Sequence, residues 1–229
     1  MIKRQYYEVQ NMSFKAIIFD LDGTLIDSLE DLCNAANRVL KKNNFPTHEM
    51  EEYRYFVGEG VVALITRALP DEIKNEDIIN SCVGEFREEY RKSWNIKTKP
   101  YEGIAEMLDL ITLRGLKMAV LSNKPDYFTK KCVAAFLPNW KFDRIIGQRD
   151  DVPKKPDPAG AKEIAEYLAV SPSEIIYVGD TPIDMETAIA AGMLPVGVLW
   201  GFRPEDELKR SGARRVIQKP EEIIEVIDH

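Results

Sequence analysis

Short apolar runs alternate with helical patterns along most of the chain. The apolar runs span residues 16–19, 117–121, 144–146, 175–178, 195–198 and 216–217. All are short enough to be strands, and amphipathic segments of helical period separate them. This alternation predicts an α/β fold in which a parallel sheet is covered by helices on both faces.

Residues 29–97 depart from this alternation. Their patterns are helical throughout, with helices expected over residues 28–43, 61–69 and 76–94, and no strand is expected there. Ser28 followed by Asp31 predicts a capping box at the start of the first of these helices. We therefore expect a Rossmann-like, doubly wound core made of residues 1–28 and 98–229, and an inserted all-helical cap domain made of residues 29–97.

Compact polar signatures accompany the apolar runs. They are Asp20-Leu-Asp22-Gly-Thr24, Ser122-Asn123-Lys124, Lys155-Pro-Asp-Pro158 and Gly179-Asp180-Thr-Pro-Ile-Asp184. Ligands of open parallel sheets bind outside the carboxyl ends of the strands, so these four signatures should meet in one crevice. Clustered carboxylates favour Mg²⁺, and a hydroxyl and an ammonium group hold phosphate oxygens. Together they are the parts of a phosphoryl-transfer site.

The four signatures resemble, in order, the four motifs of the haloacid dehalogenase superfamily, and the likeness extends over the chain from about Phe14. It implies that Asp20 is the nucleophile that takes the phosphoryl group and that Asp22 is the general acid and base. It also implies a Mg²⁺ site and a phosphoryl site. The Mg²⁺ ligands would be Asp20, the Asp22 carbonyl and Asp180, with Asp184 orienting a metal-bound water or Lys155, and the phosphoryl group would bind Ser122 and the catalytic Lys155.

Two features narrow the branch of the superfamily. Asp22 argues against dehalogenase and phosphonatase relatives, and Leu32 stands where sugar phosphomutases carry a cap histidine. The cap segment Arg54-Tyr-Phe-Val-Gly58-Glu-Gly60, with the hinge at residues 24–28, resembles phosphoglycolate phosphatases. This resemblance implies a Mg²⁺-dependent phosphomonoester hydrolase that forms an aspartyl-phosphate on small anionic phosphate esters. The substrate-binding residues are then expected to be Thr24, Ser122, Asn123, Arg54, Gly58 and Gly60.

Other interpretations stay open on the sequence alone. Gly58 and Gly60 can simply permit a left-handed loop, and Arg54 can be an exposed helix arginine. Asp180 and Asp184 can cap a helix that begins near residue 182, although Asp184 is expected to lie too far into the first turn for a simple cap. A pyrophosphatase, a sugar-phosphate phosphatase or a phosphomutase of the same superfamily is an alternative activity. A non-enzymatic phosphoacceptor is an alternative of another class.

The composition and charge of the chain limit the kinds of partner and compartment that we expect. The 229 residues include 38 acidic and 31 basic side chains, a formal net charge of −7, which opposes binding to nucleic acid or to an anionic membrane. The apolar runs are far shorter than a membrane span, and the first residues lack the apolar segment of a secretory signal. Three widely spaced cysteines are expected to be reduced and mostly buried. These features predict a cytoplasmic protein, which we expect to be a monomer or homodimer, and the resemblance implies that it acts on a small anionic phosphate ester.

Overall fold

The computed structural model describes residues 14–229. The prediction that no secretory signal opens the chain concerns residues outside this range. Strands within it are β1 (Ala16–Phe19), β2 (Ile26–Asp27), β3 (Lys99–Pro100), β4 (Lys117–Pro125), β5 (Arg144–Gln148), β6 (Ile175–Gly179), β7 (Leu194–Val198) and β8 (Arg215–Ile217). The α-helices are α1 (Leu29–Lys42), α2 (Met50–Phe56), α3 (Val61–Ala68), α4 (Glu76–Ser93), α5 (Ile104–Leu113), α6 (Asp126–Phe136), α7 (Ala159–Leu168), α8 (Pro182–Ala191), α9 (Glu205–Arg210) and α10 (Ile223–Asp228).

Six parallel strands form the central sheet, in the order β5-β4-β1-β6-β7-β8. From β1 the chain first adds β4 and β5 on one side and then returns to add β6, β7 and β8 on the other. The order therefore reverses between β1 and β6, which is the point where open α/β sheets bind ligands. The predicted α/β class is confirmed.

Both faces of the sheet are buried. Every residue of β1 is fully inaccessible to solvent, with Ile17 and Phe19 in one apolar cluster and Ala16 and Ile18 in a second cluster on the opposite face. Continuous apolar strands are expected in a parallel sheet that helices cover on both sides. The rigid sheet fixes the positions of the loops that follow its strands.

Helices α1 to α4 lie together between β2 and β3 along the chain, and the described part of residues 29–97 contains no strand, as predicted. The two short strands pair antiparallel, with Ile26 opposite Pro100 and Asp27 opposite Lys99. This two-residue ribbon was not predicted, because strands of two residues carry no detectable alternation. The predicted domain boundaries at 28/29 and 97/98 adjoin it.

The predicted capping box at Ser28 is wrong. The Ser28 hydroxyl donates to Asp22 Oδ1, and Ser28 makes no side-chain cap of α1. Asp31 instead accepts hydrogen bonds at 2.9–3.1 Å from the backbone N–H groups of residues 96–98 and one at 2.7 Å from Thr98 Oγ1. Its carboxylate thus ties the start of α1 to the segment that leads back to β3, a tertiary contact that overrides the local motif.

Strand β4 is longer than the sequence predicted. Strand β4 runs four residues beyond the predicted end at Leu121, through a register irregularity between Leu121 and Pro125. Residues 122–124 therefore occupy an irregular strand end.

All three cysteines are free and buried, as expected. Within residues 14–229, no helix combines the length and the apolar character that crossing a membrane requires.

Candidate active site

Three carboxylates converge at the reversal point of the sheet. Asp20 follows β1, Asp180 follows β6, and Asp184 lies in the first turn of α8. One oxygen from each lies within 4.8 Å of the others, and the three residues are at most 6% exposed. These residues are distant along the chain but lie close together in space, as predicted. Buried acids this close repel one another strongly unless cations or hydrogen-bond donors compensate them.

Lys155 supplies one compensating charge. Its buried ammonium lies 2.7 Å from Asp184 Oδ1 and 2.9 Å from Asp20 Oδ1. The Asn123 side chain fixes the lysine loop, because its Oδ1 accepts from Lys155 N at 2.9 Å and its Nδ2 donates to Lys155 O at 3.1 Å. Lys155 is therefore held between two acids, in contrast to its exposed neighbour Lys154.

Asp184 also closes a capping box. Its Oδ2 accepts from Thr181 N and Thr181 Oγ1 at 3.1 and 2.7 Å, while the Thr181 side chain caps the first turn of α8 in return. Asp184 is not a simple N-cap, as expected, because Thr181 holds that position, but it takes part in a capping box, which uses the third helical residue. The same carboxylate serves both the helix terminus and Lys155.

Asp180 is fixed by donors from two loops. Thr24 Oγ1 donates to Asp180 Oδ1 at 3.0 Å, and the Phe202 N–H donates to Asp180 Oδ2 at 2.9 Å. Gly23 adopts φ +86°, and a Cβ there would lie 2.3 Å from Asp180 Oδ2, so only glycine fits. Thr24, predicted to bind substrate, is fully buried and orients Asp180 in this structure.

Asp22 lies apart from the three clustered acids. Lys124 Nζ donates to its two carboxylate oxygens at 2.8 and 3.0 Å, and Ser28 donates to the first of them. The Lys124 side chain is only 4% exposed, and its ammonium lies 4.9 Å from the centre of the Tyr90 ring. Sequence analysis quoted Lys124 within its motif but gave it no role, because nothing local predicts a partner 102 residues away.

Burial dominates the electrostatics of the cluster. Desolvation raises the pKa of Asp20 to about 7, with Lys155 opposing the rise and Asp184 adding to it. Burial, together with Asp184 and Asp20, also raises the pKa of Asp180 well above its usual range. Burial alone would lower the pKa of Lys155, but Asp184 and Asp20 raise it well above that of a free lysine. Without a further cation, the site holds its acids at a considerable electrostatic cost.

The donor set suits a hard divalent cation. Asp20 Oδ1 is buried and, despite the nearby Lys155 ammonium, accepts no well-aligned hydrogen bond. Asp180 lies beside it, and each Asp180 oxygen accepts a single hydrogen bond, which leaves lone pairs free. Carboxylate oxygens in such a cluster are the ligands that Mg²⁺ prefers. The residues present therefore fit the metal that the sequence implied.

A cavity extends from this cluster towards the helices of residues 29–97. Asp20, Asp22 and Ser122 line its floor, and Gly58 and Gly60 line the facing loop. Asn123 also lines it and donates to the Gly58 carbonyl at 3.0 Å. Gly60 adopts φ +87°, and a Cβ there would approach the Asn123 carbonyl to 3.2 Å. The loop therefore requires glycine conformation, and its backbone also reaches the cavity.

Arg54 is not among the residues that line this cavity. Its guanidinium donates to the Gly201 carbonyl at 2.9 Å and pairs with Glu51 at 2.8 Å. Arg203 reciprocates by donating to the Arg54 carbonyl and, at 3.4 Å, to the Val57 carbonyl. The structure thus uses Arg54 to join α2 to the loop after β7, away from the predicted phosphate or carboxylate clamp.

Helix α4 contributes lining residues that the sequence did not single out. Phe86, Arg87 and Tyr90 all face the cavity. The amphipathic pattern of α4 indicated a helix, but it did not show which part of its surface would lie over the strand ends. The only available signal was the i, i+3 spacing of Arg87 and Tyr90, which is common on solvated helices.

Comparisons with known proteins agree with this geometry. Residues 17–198 match the family model described as haloacid dehalogenase-like hydrolase. The chain is 31% identical to a phosphoglycolate phosphatase of Aquifex aeolicus, over 94% of this chain and 97% of that protein. It is 28% identical to an N-acetylmuramic acid 6-phosphate phosphatase of Pseudomonas aeruginosa, over 96% and 97% of the two chains.

A solved structure extends the likeness to three dimensions. The crystal structure of a predicted phosphoglycolate phosphatase from Haemophilus somnus superposes with a TM-score of 0.86 at 27% identity, covering 93% of this chain and 98% of that one. The family match spans most of the chain and includes all four predicted motifs. The chain therefore belongs to the haloacid dehalogenase-like hydrolase family.

Proposed function

We propose that this protein is a Mg²⁺-dependent phosphomonoester hydrolase that works through an aspartyl-phosphate intermediate. One observation carries the proposal: the Asp20 carboxylate lies at a cavity floor beside Asp180 and the Lys155 ammonium. A nucleophile, a divalent-cation site and a fixed positive charge at one point are what phosphoryl transfer needs. The family membership and the names of the relatives support the same activity.

The residues divide the reaction between them. Asp20 forms a bond to phosphorus as the ester oxygen leaves, and Asp22 gives that oxygen a proton. Asp22 then takes a proton from the water that hydrolyses the aspartyl-phosphate, releasing inorganic phosphate. Ser122 and Lys155 hold the phosphoryl oxygens, and Lys124 and Ser28 hold Asp22 at the cavity wall. Mg²⁺, bound by Asp20, Asp180 and the Asp22 carbonyl, would neutralise the phosphoryl charge.

We also infer that residues 29–97 act as a cap over the core of residues 1–28 and 98–229. Contacts from the core reach the loop at 57–60: Asn123 donates to the Gly58 carbonyl and Lys154 to the Glu59 carbonyl, each at 3.0 Å. Such contacts suit a closed state that excludes water during phosphoryl transfer. The ribbon of β2 and β3 lies where the chain enters and leaves the cap and is the proposed hinge.

Phosphoglycolate is the first substrate to test. Several relatives that are similar to this chain over most of its length carry the name phosphoglycolate phosphatase, while one carries the name N-acetylmuramic acid 6-phosphate phosphatase.

The free, buried cysteines fit a reducing compartment, so we place the enzyme in the cytoplasm.

The test is phosphate release with Mg²⁺ from phosphoglycolate, sugar phosphates, pyrophosphate and an aryl phosphate. We expect turnover that Asp20→Asn lowers by at least about a thousandfold, since an amide is no nucleophile, with an unchanged circular dichroism spectrum. Release that persists in Asp20→Asn would remove Asp20 as the nucleophile. A stable phosphorylated protein without release would instead support the non-enzymatic phosphoacceptor.

A further inference from the structure

Two polar side chains of α4 face the cavity without a well-aligned hydrogen bond from the protein. Arg87 and Tyr90 lie three residues apart, on one side of the helix, and both line the cavity that contains Asp20. The Tyr90 hydroxyl is buried, with the residue 3% exposed, and it forms no well-aligned hydrogen bond although the Lys124 ammonium lies nearby. Arg87 is exposed at the mouth of the cavity, and no hydrogen bond or ion pair holds its guanidinium to another residue in the described range 14–229. An unsatisfied buried hydroxyl is costly, so a ligand is the natural partner.

The remaining charges of the cavity are already committed. Lys124 contacts both oxygens of Asp22, and Lys155, which borders the site, contacts Asp20 and Asp184. Arg87 is therefore the cation of the cavity lining, within the described residues, that remains available to an incoming anion. Its planar guanidinium matches a carboxylate in a bidentate arrangement.

The other side chains of the cap lining are apolar. They are those of Leu32, Val57, Val61, Leu64 and Phe86, while Gly58 and Gly60 contribute only backbone. A sugar bound under this roof would leave several hydroxyl groups without hydrogen-bond partners, which enzymes penalise heavily. A short leaving group with one anionic end satisfies the lining better, because only that end requires a polar partner.

Building on the phosphatase function proposed above, we propose that Arg87 and Tyr90 bind the carboxylate of the leaving group. The enzyme then selects small phosphate esters that carry a carboxylate and few hydroxyl groups. The core motifs hold the phosphoryl group of any ester, whereas this pair on α4 distinguishes one ester from another. The clamp for the substrate carboxylate thus lies on α4, in place of Arg54 on α2.

The decisive measurement is the ratio of kcat/KM for phosphoglycolate to that for ethyl phosphate, which has no carboxylate. We expect the wild-type ratio to exceed about ten, and Arg87→Ala to lower it by roughly tenfold or more, the effect of losing a charge-assisted hydrogen bond. Arg87→Lys should recover part of it. Arg91→Ala is the matched control, since Arg91 lies one turn further along α4, is exposed like Arg87, does not line the cavity and pairs with Glu88; it should leave the ratio unchanged.

Tyr90→Phe tests the second partner while keeping the ring against Lys124. We expect it to raise KM for phosphoglycolate severalfold and to change KM for ethyl phosphate less. Binding is checked without turnover by titrating phosphoglycolate and ethyl phosphate into Asp20→Asn in the presence of Mg²⁺. Adding Arg87→Ala to that variant should weaken the binding of phosphoglycolate selectively.

The outcomes separate this inference from the proposed function. No phosphate release from any ester would refute the phosphatase, whereas equal losses on both esters in Arg87→Ala would refute the carboxylate site alone. A wild-type ratio near one would also overturn it. A preference for esters with a second phosphate group, lost in Arg87→Ala, would keep the anion site but contradict a carboxylate as its ligand.

Discussion

The two sides of the cavity are built on opposite principles. On the core side, Asp20, Asp180 and Asp184 are buried, Asp22 is half-buried, and most polar atoms have a protein partner, as in the ion pairs of Lys155. On the cap side, the lining is mainly apolar. Arg87 and Tyr90 are its polar side chains, and they are the proposed ligand contacts. The core side comes from loops fixed by a rigid sheet, and the cap side comes from helices joined to it by a two-residue ribbon.

This contrast indicates that the core side determines the chemistry at phosphorus and that the cap side determines the choice of leaving group. Groups that act on phosphorus must be preorganised, so they belong on the ends of buried strands. Groups that choose the leaving group can vary without disturbing that chemistry, so they belong on the helices. Substitutions on the core side should therefore affect stability and all substrates, whereas substitutions on the cap side should affect substrate choice.

The largest effect is expected at Lys155. Lys155→Met leaves Asp20 and Asp184 buried without their counter-charge, which should lower the free energy of unfolding by roughly 3–5 kcal/mol and abolish phosphate release. Lys154→Met is the matched control, because Lys154 is exposed and makes one hydrogen bond to the Glu59 carbonyl. Urea unfolding and phosphate release measure both. Comparable losses in the two variants would contradict the assignment of Lys155.

A second prediction concerns the pH dependence of stability in the absence of metal. The pKa of Asp20 rises from 3.8 to about 7 on folding, so between those pH values the folded protein keeps a proton that the unfolded chain releases. Stability should fall as pH rises through this window. Asp20→Asn removes the effect and should be the more stable protein at pH 8, by up to roughly 4 kcal/mol, with the difference vanishing near pH 4.

Chemical unfolding of both proteins across this pH range, in EDTA, measures the difference. Adding Mg²⁺ at pH 8 should stabilise the wild type more than Asp20→Asn, because the cation offsets the charge of the buried acids. Equal stability of the two metal-free proteins at pH 8 would show that burial of Asp20 carries no electrostatic cost.

Asp31 tests the connection between the two sides. Asp31→Ala leaves the N–H groups of residues 96–98 and the Thr98 hydroxyl without their acceptor. We expect a loss of about 2–3 kcal/mol in the free energy of unfolding. Glu30→Ala is the control, since Glu30 is exposed and lies 3.6 Å from Lys97 Nζ; it should change stability by less than about 0.5 kcal/mol. Similar losses would contradict a special role for Asp31.

The smallest effect is expected at Arg54. Its guanidinium bonds to Gly201 and Glu51 outside the cavity, so Arg54→Ala should change kcat/KM for phosphoglycolate by less than about threefold. The measurement is made beside Arg87→Ala under the same conditions. A selective loss on phosphoglycolate in Arg54→Ala, with none in Arg87→Ala, would return the carboxylate clamp to α2.

Much of the fold was predictable because its signals are local. The apolar runs at β1, β6 and β7 and the helical period of α1 and α4 each lie within one segment, so the α/β class and the helical insertion follow from the sequence. The strand of two residues at β2 and the extension of β4 past Leu121 were missed. Both are defined by pairing with distant strands rather than by their own residue pattern.

The sequence by itself determined which groups meet at the strand ends, because parallel strands bring their carboxyl ends to one edge and each motif lies at the end of a strand or in the loop that follows it. Only the tertiary structure decided the partners of those groups. It pairs Lys124 with Asp22, gives Asp31 to residues 96–98, and turns Arg87 and Tyr90 towards the cavity while Arg54 turns away. The physical reason is that an ion pair or a hydrogen bond depends on distances in space, and residues far apart along the chain leave no local trace of it.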